Sequence, residues 1–536
     1  GTDGQLRLRR EDNERQEVRV GAYVGGPIIQ DKLFMFVAVD QNKIKRDQVA
    51  RSTADSANSL GKWGWGNLED TITRYVAKFD WNVTDNHRLE LTSVGDKNEL
   101  DAKYYGYNYA TRAVGTTVNS GEHYRDDPAN TQGVGGDFNL LKYTGNLTDN
   151  LTLTALHGQL IAKHSNTFDG YDVYDPNSAV PQVSSLSICP PTMPCVNNQP
   201  LTGLIMPKGG KDTVKNTRLD LEYRWNAHTI RIGADQVKLK SENTGFITAG
   251  GSIWRYFKQS NPTVPGSLTS TGARVAVATA GVGPLAQEGY WVRQEIFSSA
   301  TPVGSEQSSQ FIEDKWQATK NLLLSIGLRD EQFKNINGDG DVYLDMKNQV
   351  SPRLGASWDV YGDASLKVYG TAGRYYLQVP TSVGVRGAAR SLFTRQGFSY
   401  TGMDANGAPT GLHKLTEPFS TNNEYNQYKD PLVVSAKDLK PNFQDEMTLG
   451  FEKAFSPSLN FGAKATYRKL KSTLDDLCDA RPFDEYFTAH PELDTSNYGG
   501  FGCATFNPGE DNTFIVDLND TNPALARTRY TEIHLT

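Results

Sequence analysis

QVSPRLGASWDVYGDASLKVYGTAGRYY, residues 349–376, decides the fold. In its first half Val350, Leu354, Ala356, Trp358 and Val360 share one parity. Ser351, Arg353, Gly355, Ser357 and Asp359 share the other. Strand side chains point to opposite faces with period two, so this predicts a strand with one oily and one wet face. A tight turn near 361–363 joins it to the next strand.

The same unit recurs along the chain. In Arg218–Trp225 the oily parity is Leu219, Leu221, Tyr223 and Trp225, against Arg218, Asp220, Glu222 and Arg224. In Leu459–Tyr467 it is Leu459, Phe461, Ala463, Ala465 and Tyr467, against Asn460, Gly462, Lys464 and Thr466. Short turns fall near 27–31, 84–86, 147–150, 226–228, 318–321, 361–363 and 456–457. Long polar loops alternate with them near 46–69, 106–132, 166–213, 244–305, 334–348, 377–443 and 474–526. An up-and-down antiparallel sheet with its turns at one rim and its loops at the other produces that order.

Two architectures fit a strand with one oily face. A soluble sandwich packs its oily faces together. A transmembrane β-barrel turns them to lipid and lines a bore with the wet ones. Three features favour the all-β barrel. Aromatic residues gather near strand ends, as in membrane-interface girdles: Tyr75, Trp81, Trp316, Trp358, Tyr375, Tyr376 and Phe455. The strands run to roughly ten to fifteen residues, whereas a tilted barrel strand needs about nine to eleven to cross the hydrocarbon. The wet faces carry charges of both signs. About fifteen strands are legible, an odd count for a bacterial single-chain barrel.

Composition excludes other classes. There is no run of eighteen apolar residues, so no transmembrane helix is predicted. Lys and Arg number 55 against 62 Asp and Glu, without a basic stripe, so nucleic acid is not an expected partner. The four cysteines fall as two pairs inside loops, Cys189/Cys195 and Cys478/Cys503, and read as disulfides of an oxidising compartment. The sequence opens without a signal segment and ends inside an alternating stretch, Arg527–Thr536, so residues 1–536 read as one partial barrel domain.

GAYVGGPIIQDKLFMF (21–36), DNHRLELTSVG (85–95), FIEDKWQATKNLLLSIGLR (311–329), the 349–376 stretch and TLGFEKAFSPSLNFGAKATYRK (448–469) together resemble the TonB-dependent receptors of Gram-negative outer membranes, and within them the Oar-like branch. The resemblance implies a barrel of about twenty-two strands around an N-terminal plug. It implies a multi-pass outer-membrane location, short periplasmic turns and long extracellular loops. It also implies import of a scarce ligand driven by a TonB–ExbB–ExbD complex. Plug, TonB-contacting box and several strands are not found in this sequence, so coupling to TonB would fall to a missing N-terminal region. The remaining wall is expected to be an incomplete curved sheet, or a barrel whose end strands lack neighbours.

No catalytic constellation stands out, and the chain does not read as an enzyme. The eight histidines are scattered, and GVGGDFN (133–139) opens a strand rather than a helix. NINGDGDVYLDM (335–346) approximates a calcium loop through Asn335, Asn337, Asp339 and Asp341, with Gly340 at the bend. Met346 stands where a bidentate Glu belongs, and a Gly/Asp turn joining two strands is the favoured account of the motif. No other cofactor is expected. The 377–443 loop brings Arg386, Arg390, Phe393, Arg395, Tyr400, Tyr425 and Tyr428 together as a candidate grip on an unknown extracellular ligand such as a sugar or peptide. Packing of that loop on its own aromatics is the competing account. Two other functions stay open: a structural or adhesive outer-membrane barrel without uptake, and a soluble carbohydrate-binding or hydrolytic β-protein.

Overall fold

The computed structural model describes residues 11–50, 64–108, 111–124, 133–165, 167–168, 182–183, 188–193, 204–207, 209–242, 245–268, 274–383, 387–405, 407–421, 423–520 and 529–535. Fourteen long strands form one continuous antiparallel wall in chain order. They are β1 (Glu14–Ile29), β2 (Leu33–Val49), β3 (Trp65–Thr84), β4 (His87–Asn108), β5 (Gly133–Thr148), β6 (Leu151–Ser165) and β7 (Lys211–Trp225), then β8 (His228–Glu242), β9 (Val303–Thr319), β10 (Leu322–Ile336), β11 (Val342–Asp359), β12 (Leu366–Tyr376), β13 (Phe443–Ser456) and β14 (Leu459–Ser472). Every wall strand pairs with its sequence neighbour, and β1 and β14 do not pair with each other, which leaves a seam. Among the described residues no helix is long and apolar enough to cross a membrane.

Register carries the period-two split around the wall. Leu221, Ile232, Ile312, Leu328 and Pro352 lie in one row, and Leu324, Ala356, Gly370, Leu449 and Ala465 in another. The oily face is the more open one. Ile326, Leu328 and Leu354 are 51%, 49% and 54% exposed. Beside them on the other face, the side chains of Arg329 and Glu331 are only 16% and 6% exposed. A water-soluble protein arranges the two the other way round. Hydrocarbon around the wall makes this arrangement favourable, because apolar side chains then contact lipid and each backbone N–H and C=O is held within the sheet.

The wet face forms ion-pair networks across strands. Lys142 lies 2.8 Å from Glu90, which also meets Lys78 and Arg88. Asp220 accepts from Arg218 and Arg231, which flank the Phe311 ring at 5.2 and 5.3 Å. Arg329 grips Asp235 with two hydrogen bonds of 2.8 and 3.1 Å. At the turn rim His228 stacks between Trp225 and Trp316, part of an aromatic girdle with the exposed Trp81 and Trp358. Arg353 and Lys464 are exposed as well, on the side of the wall that faces the bore.

Three details differ from the sequence reading. The 334–348 segment is not a long loop: β10 and β11 run through it, and only 337–341 turn. The Asn337 side chain accepts from the N–H groups of Asp339 and Asp341, which lets a tight hairpin form where the composition looked loop-like. Second, Tyr530–Leu535 is not a wall strand but pairs with Asn512–Asp517. Its alternation serves a loop core, with Ile533 fully buried. Third, several wall strands are longer than expected, reaching 22 residues in β4, because they rise beyond the membrane to support the loops. Gly135, which opens β5, shows why glycine is needed there: its φ is +131°, and a Cβ would stand 2.3 Å from the Asp96 carbonyl oxygen.

Candidate functional site

Above the wall the long loops fold into a cap. Ile253–Lys258, Tyr290–Ser298 and Leu392–Ser399 form the centre of a second sheet built from loops far apart in sequence. One face buries Trp254, Tyr256, Val292 and Tyr400, with Phe398 packed against them. Tyr256 donates to the Gly407 carbonyl at 2.7 Å, and its ring meets Tyr400 edge-on at 5.2 Å. Burial raises both hydroxyls well above the usual tyrosine range.

The other face carries charge. Glu295 lies 2.5 Å from Arg293, 3.1 Å from Arg255 and 3.7 Å from Arg395. Burial, followed by crowding from Arg395 and Arg255, weakens the hold of Arg293 on its proton against the pull of Glu295. Arg293 lies over Phe257, which stacks on Trp291, and Arg395 lies over Phe393 at 5.0 Å.

A second compact body follows β14. Cys478 and Cys503 are joined by a disulfide. The helix Arg481–Ala489 starts with proline in its first turn and buries Phe483. Phe483 stacks on Phe501 at 3.6 Å and meets Phe514 edge-on at 5.5 Å. The Ser496 hydroxyl and N–H, with Arg529, hold the Asp494 carboxyl down at about 2.

Between these bodies and the tops of β7, β8 and β11 lies a cavity of about 790 Å³, within the range of small-ligand sites. Asp212 and Ser241 contribute from the wall, Phe297 from the cap sheet, Glu424 and Lys429 from the 377–442 loop, and Asp476 from the disulfide body. Burial pushes the lining Tyr343 hydroxyl up to about 12. The cavity offers an aromatic wall, carboxylates and an ammonium group, the mixture that orients a polar organic ligand.

The residues singled out in the sequence occupy different places. Arg386 lies outside the described residues. Arg390 bonds Asp339 at 2.8 Å and lies 5.8 Å over Tyr428, whose hydroxyl donates to Asp341. These two tie the 337–341 turn to the loop. Phe393 packs edge-on against Phe297, behind the cavity wall, with Arg395 beside it. Tyr400 belongs to the cap core, and the exposed Tyr425 receives the Ser420 N–H. Asn335 donates to the Val379 carbonyl, so the oxygens and amides of the calcium-like turn take part in docking the loop. Cys189 is disulfide-bonded, and Cys195 lies outside the described residues. Sequence reading missed Phe297, Glu424 and Lys429, which only the loop packing brings together. Among the described residues, Asp476, Cys478 and Cys503 cluster closely enough for a metal, but both sulfurs are in the disulfide.

No family model matches the chain. It is 23% identical over 546 residues to the TonB-dependent transporter Oar of Myxococcus xanthus, covering 88% of this chain and 49% of that protein. The chain thus spans about half the length of the curated relative it matches. Among solved structures, the outer membrane transporter YddB of Escherichia coli superposes with a TM-score of 0.51 at 12% identity, over 94% of this chain and 50% of that one. The FrpB iron transporter of Neisseria meningitidis gives 0.46 at 11%, over 94% and 57% respectively. The meander order, the oily belt and the superposition on YddB agree on the fold, an outer-membrane β-barrel, and in sequence the chain is similar to the TonB-dependent transporter Oar.

Proposed function

We propose that this barrel serves an energy-coupled outer-membrane transporter that captures an extracellular ligand in the cavity beneath the loop cap and passes it through the bore. The observation that carries this reading is the cavity of about 790 Å³ at the loop rim, roofed by two bodies with cores of their own. Phe297, Glu424 and Lys429 make first contact with the ligand. Arg390, Phe393, Arg395, Tyr400, Tyr425 and Tyr428 hold the loop in shape. Energy comes from a TonB–ExbB–ExbD complex acting through a region outside these residues, on a plug within the wall. Lipid of the outer membrane is the constant partner of the oily belt. The chain catalyses no reaction and needs no resident cofactor. A calcium ion at 335–346 would have to compete with the Arg390 and Tyr428 contacts to Asp339 and Asp341.

Comparative mass spectrometry of the culture medium tests this whatever the ligand's identity. Cells expressing the full-length protein are compared with cells lacking it and with cells treated with a protonophore. Depletion of a solute that requires both the protein and the proton-motive force is expected. Solute bound but never internalised, with no effect of the protonophore, would instead indicate an adhesive barrel.

A further inference from the structure

We propose that the outer wall over β12 holds a phosphate-bearing lipid of the outer leaflet. On the lipid face of β12 stand Gly370 and Ala372, too small to fill their rows. Ile326 and Leu354 rise on one side, Leu449 and Tyr467 on the other, and the trough between them is about 830 Å³. It is overwhelmingly apolar and opens to the hydrocarbon, so an acyl chain matches it in shape and chemistry.

The trough ends in a basic cluster at the depth of the lipid head groups. On β14 the oily parity runs Leu459, Phe461, Ala463, Ala465 and Tyr467, nine residues counted inclusively, and the next position on that face is Lys469. About nine to eleven tilted residues span the hydrocarbon, and tyrosine marks its boundary, so Lys469 stands just outside it. Asp445 faces Lys469 across the β13–β14 ladder and Arg374 across the β12–β13 ladder. Arg374 binds Asp445 at 2.8 and 3.2 Å, Lys471 lies 3.8 Å from the same carboxylate, and Lys469 is exposed. Arg374 and Lys471 thus share one carboxylate, and Lys469 stands exposed in register beside it. Asp330 shares this face but lies two strands away on β10. The surplus positive charge directly above an apolar trough complements a phosphate carried on an acyl chain. A free anion would use the cluster alone and leave the trough unexplained.

Native mass spectrometry of the full-length protein in mild detergent tests the proposal. The probes are diphosphoryl lipid A, its dephosphorylated form and inorganic phosphate. The exposed Lys469→Ala/Lys471→Ala pair should weaken retention of the diphosphoryl lipid by about 30-fold, from about five-fold per lysine at a membrane surface. Gly370→Leu fills the trough, and at that position a Cβ meets nothing closer than 3.4 Å, so the fold is kept. It too should reduce retention, and inorganic phosphate alone should not bind. Equal retention of the dephosphorylated lipid, or undiminished binding by both variants, would overturn the proposal. So would a dimer of the protein that Gly370→Leu dissolves, since a second copy would then occupy the trough.

Discussion

Placing an arginine at Leu354 separates a membrane wall from a soluble sheet. Leu354 stands four residues along β11 from Trp358, which marks the turn-side interface. Four residues advance about 13 Å along a strand, and a tilt of about 45° turns this into about 9 Å of depth. The apolar band of such barrels is about 25 Å tall, so Leu354 lies within about 4 Å of the midplane. Arginine at the midplane costs about 2–4 kcal/mol and less toward the interfaces. We therefore expect Leu354→Arg to destabilise the wall by about 2–3 kcal/mol, or about 30- to 150-fold in the folding equilibrium. Urea titration of the full-length protein in phosphatidylcholine vesicles, followed by tryptophan fluorescence, measures it. Thr466→Arg, an exposed position on the bore side, is the control and should change stability by less than about 0.5 kcal/mol. In a water-soluble sheet an arginine replacing a leucine that is 54% exposed would be equally mild. A Leu354→Arg effect no larger than the control would refute the assignment of this face to lipid.

The cap yields further expectations. Phe483→Ala removes a fully buried ring stacked on Phe501 and should cost the disulfide body about 3–5 kcal/mol, seen as faster limited proteolysis within 473–520 while the wall stays resistant. Replacing Cys478 and Cys503 by serine opens a crosslink spanning 25 residues and should cost about 3.5 kcal/mol on the chain-entropy model, with the same protease readout. The Asp494 carboxyl is held at about 2, below its unfolded value, so its contribution is complete above about pH 4 and disappears as the pH falls through about 2. Amide exchange at Ser496 should therefore be insensitive between pH 4 and pH 7 after correction for intrinsic rates. Arg390→Ala loses a half-exposed ion pair to Asp339 and should cost about 1 kcal/mol or less, with added exchange confined to 337–341 and 426–430.

The architecture of the wall was legible in the amino-acid order because it rests on local rules. Alternation at Val350–Asp359 states which side chains share a face, and the spacing of turns states which strands are neighbours. Neither depends on distant contacts. Reading the face of Leu354 as lipid-facing already followed from strand length and aromatic placement, and the folded wall added the inversion of burial between Leu328 and Arg329. The cap was not legible. Arg293 and Glu295 meet Arg255 and Arg395 only because three loop segments pair into one sheet, and pairing at that separation leaves no periodic trace. The same holds for Phe297, Glu424 and Asp476 around one cavity, and for Arg374, Asp445 and Lys471 on three strands. A strand's period is a property of consecutive residues, whereas a site is a property of residues that the closed chain brings together.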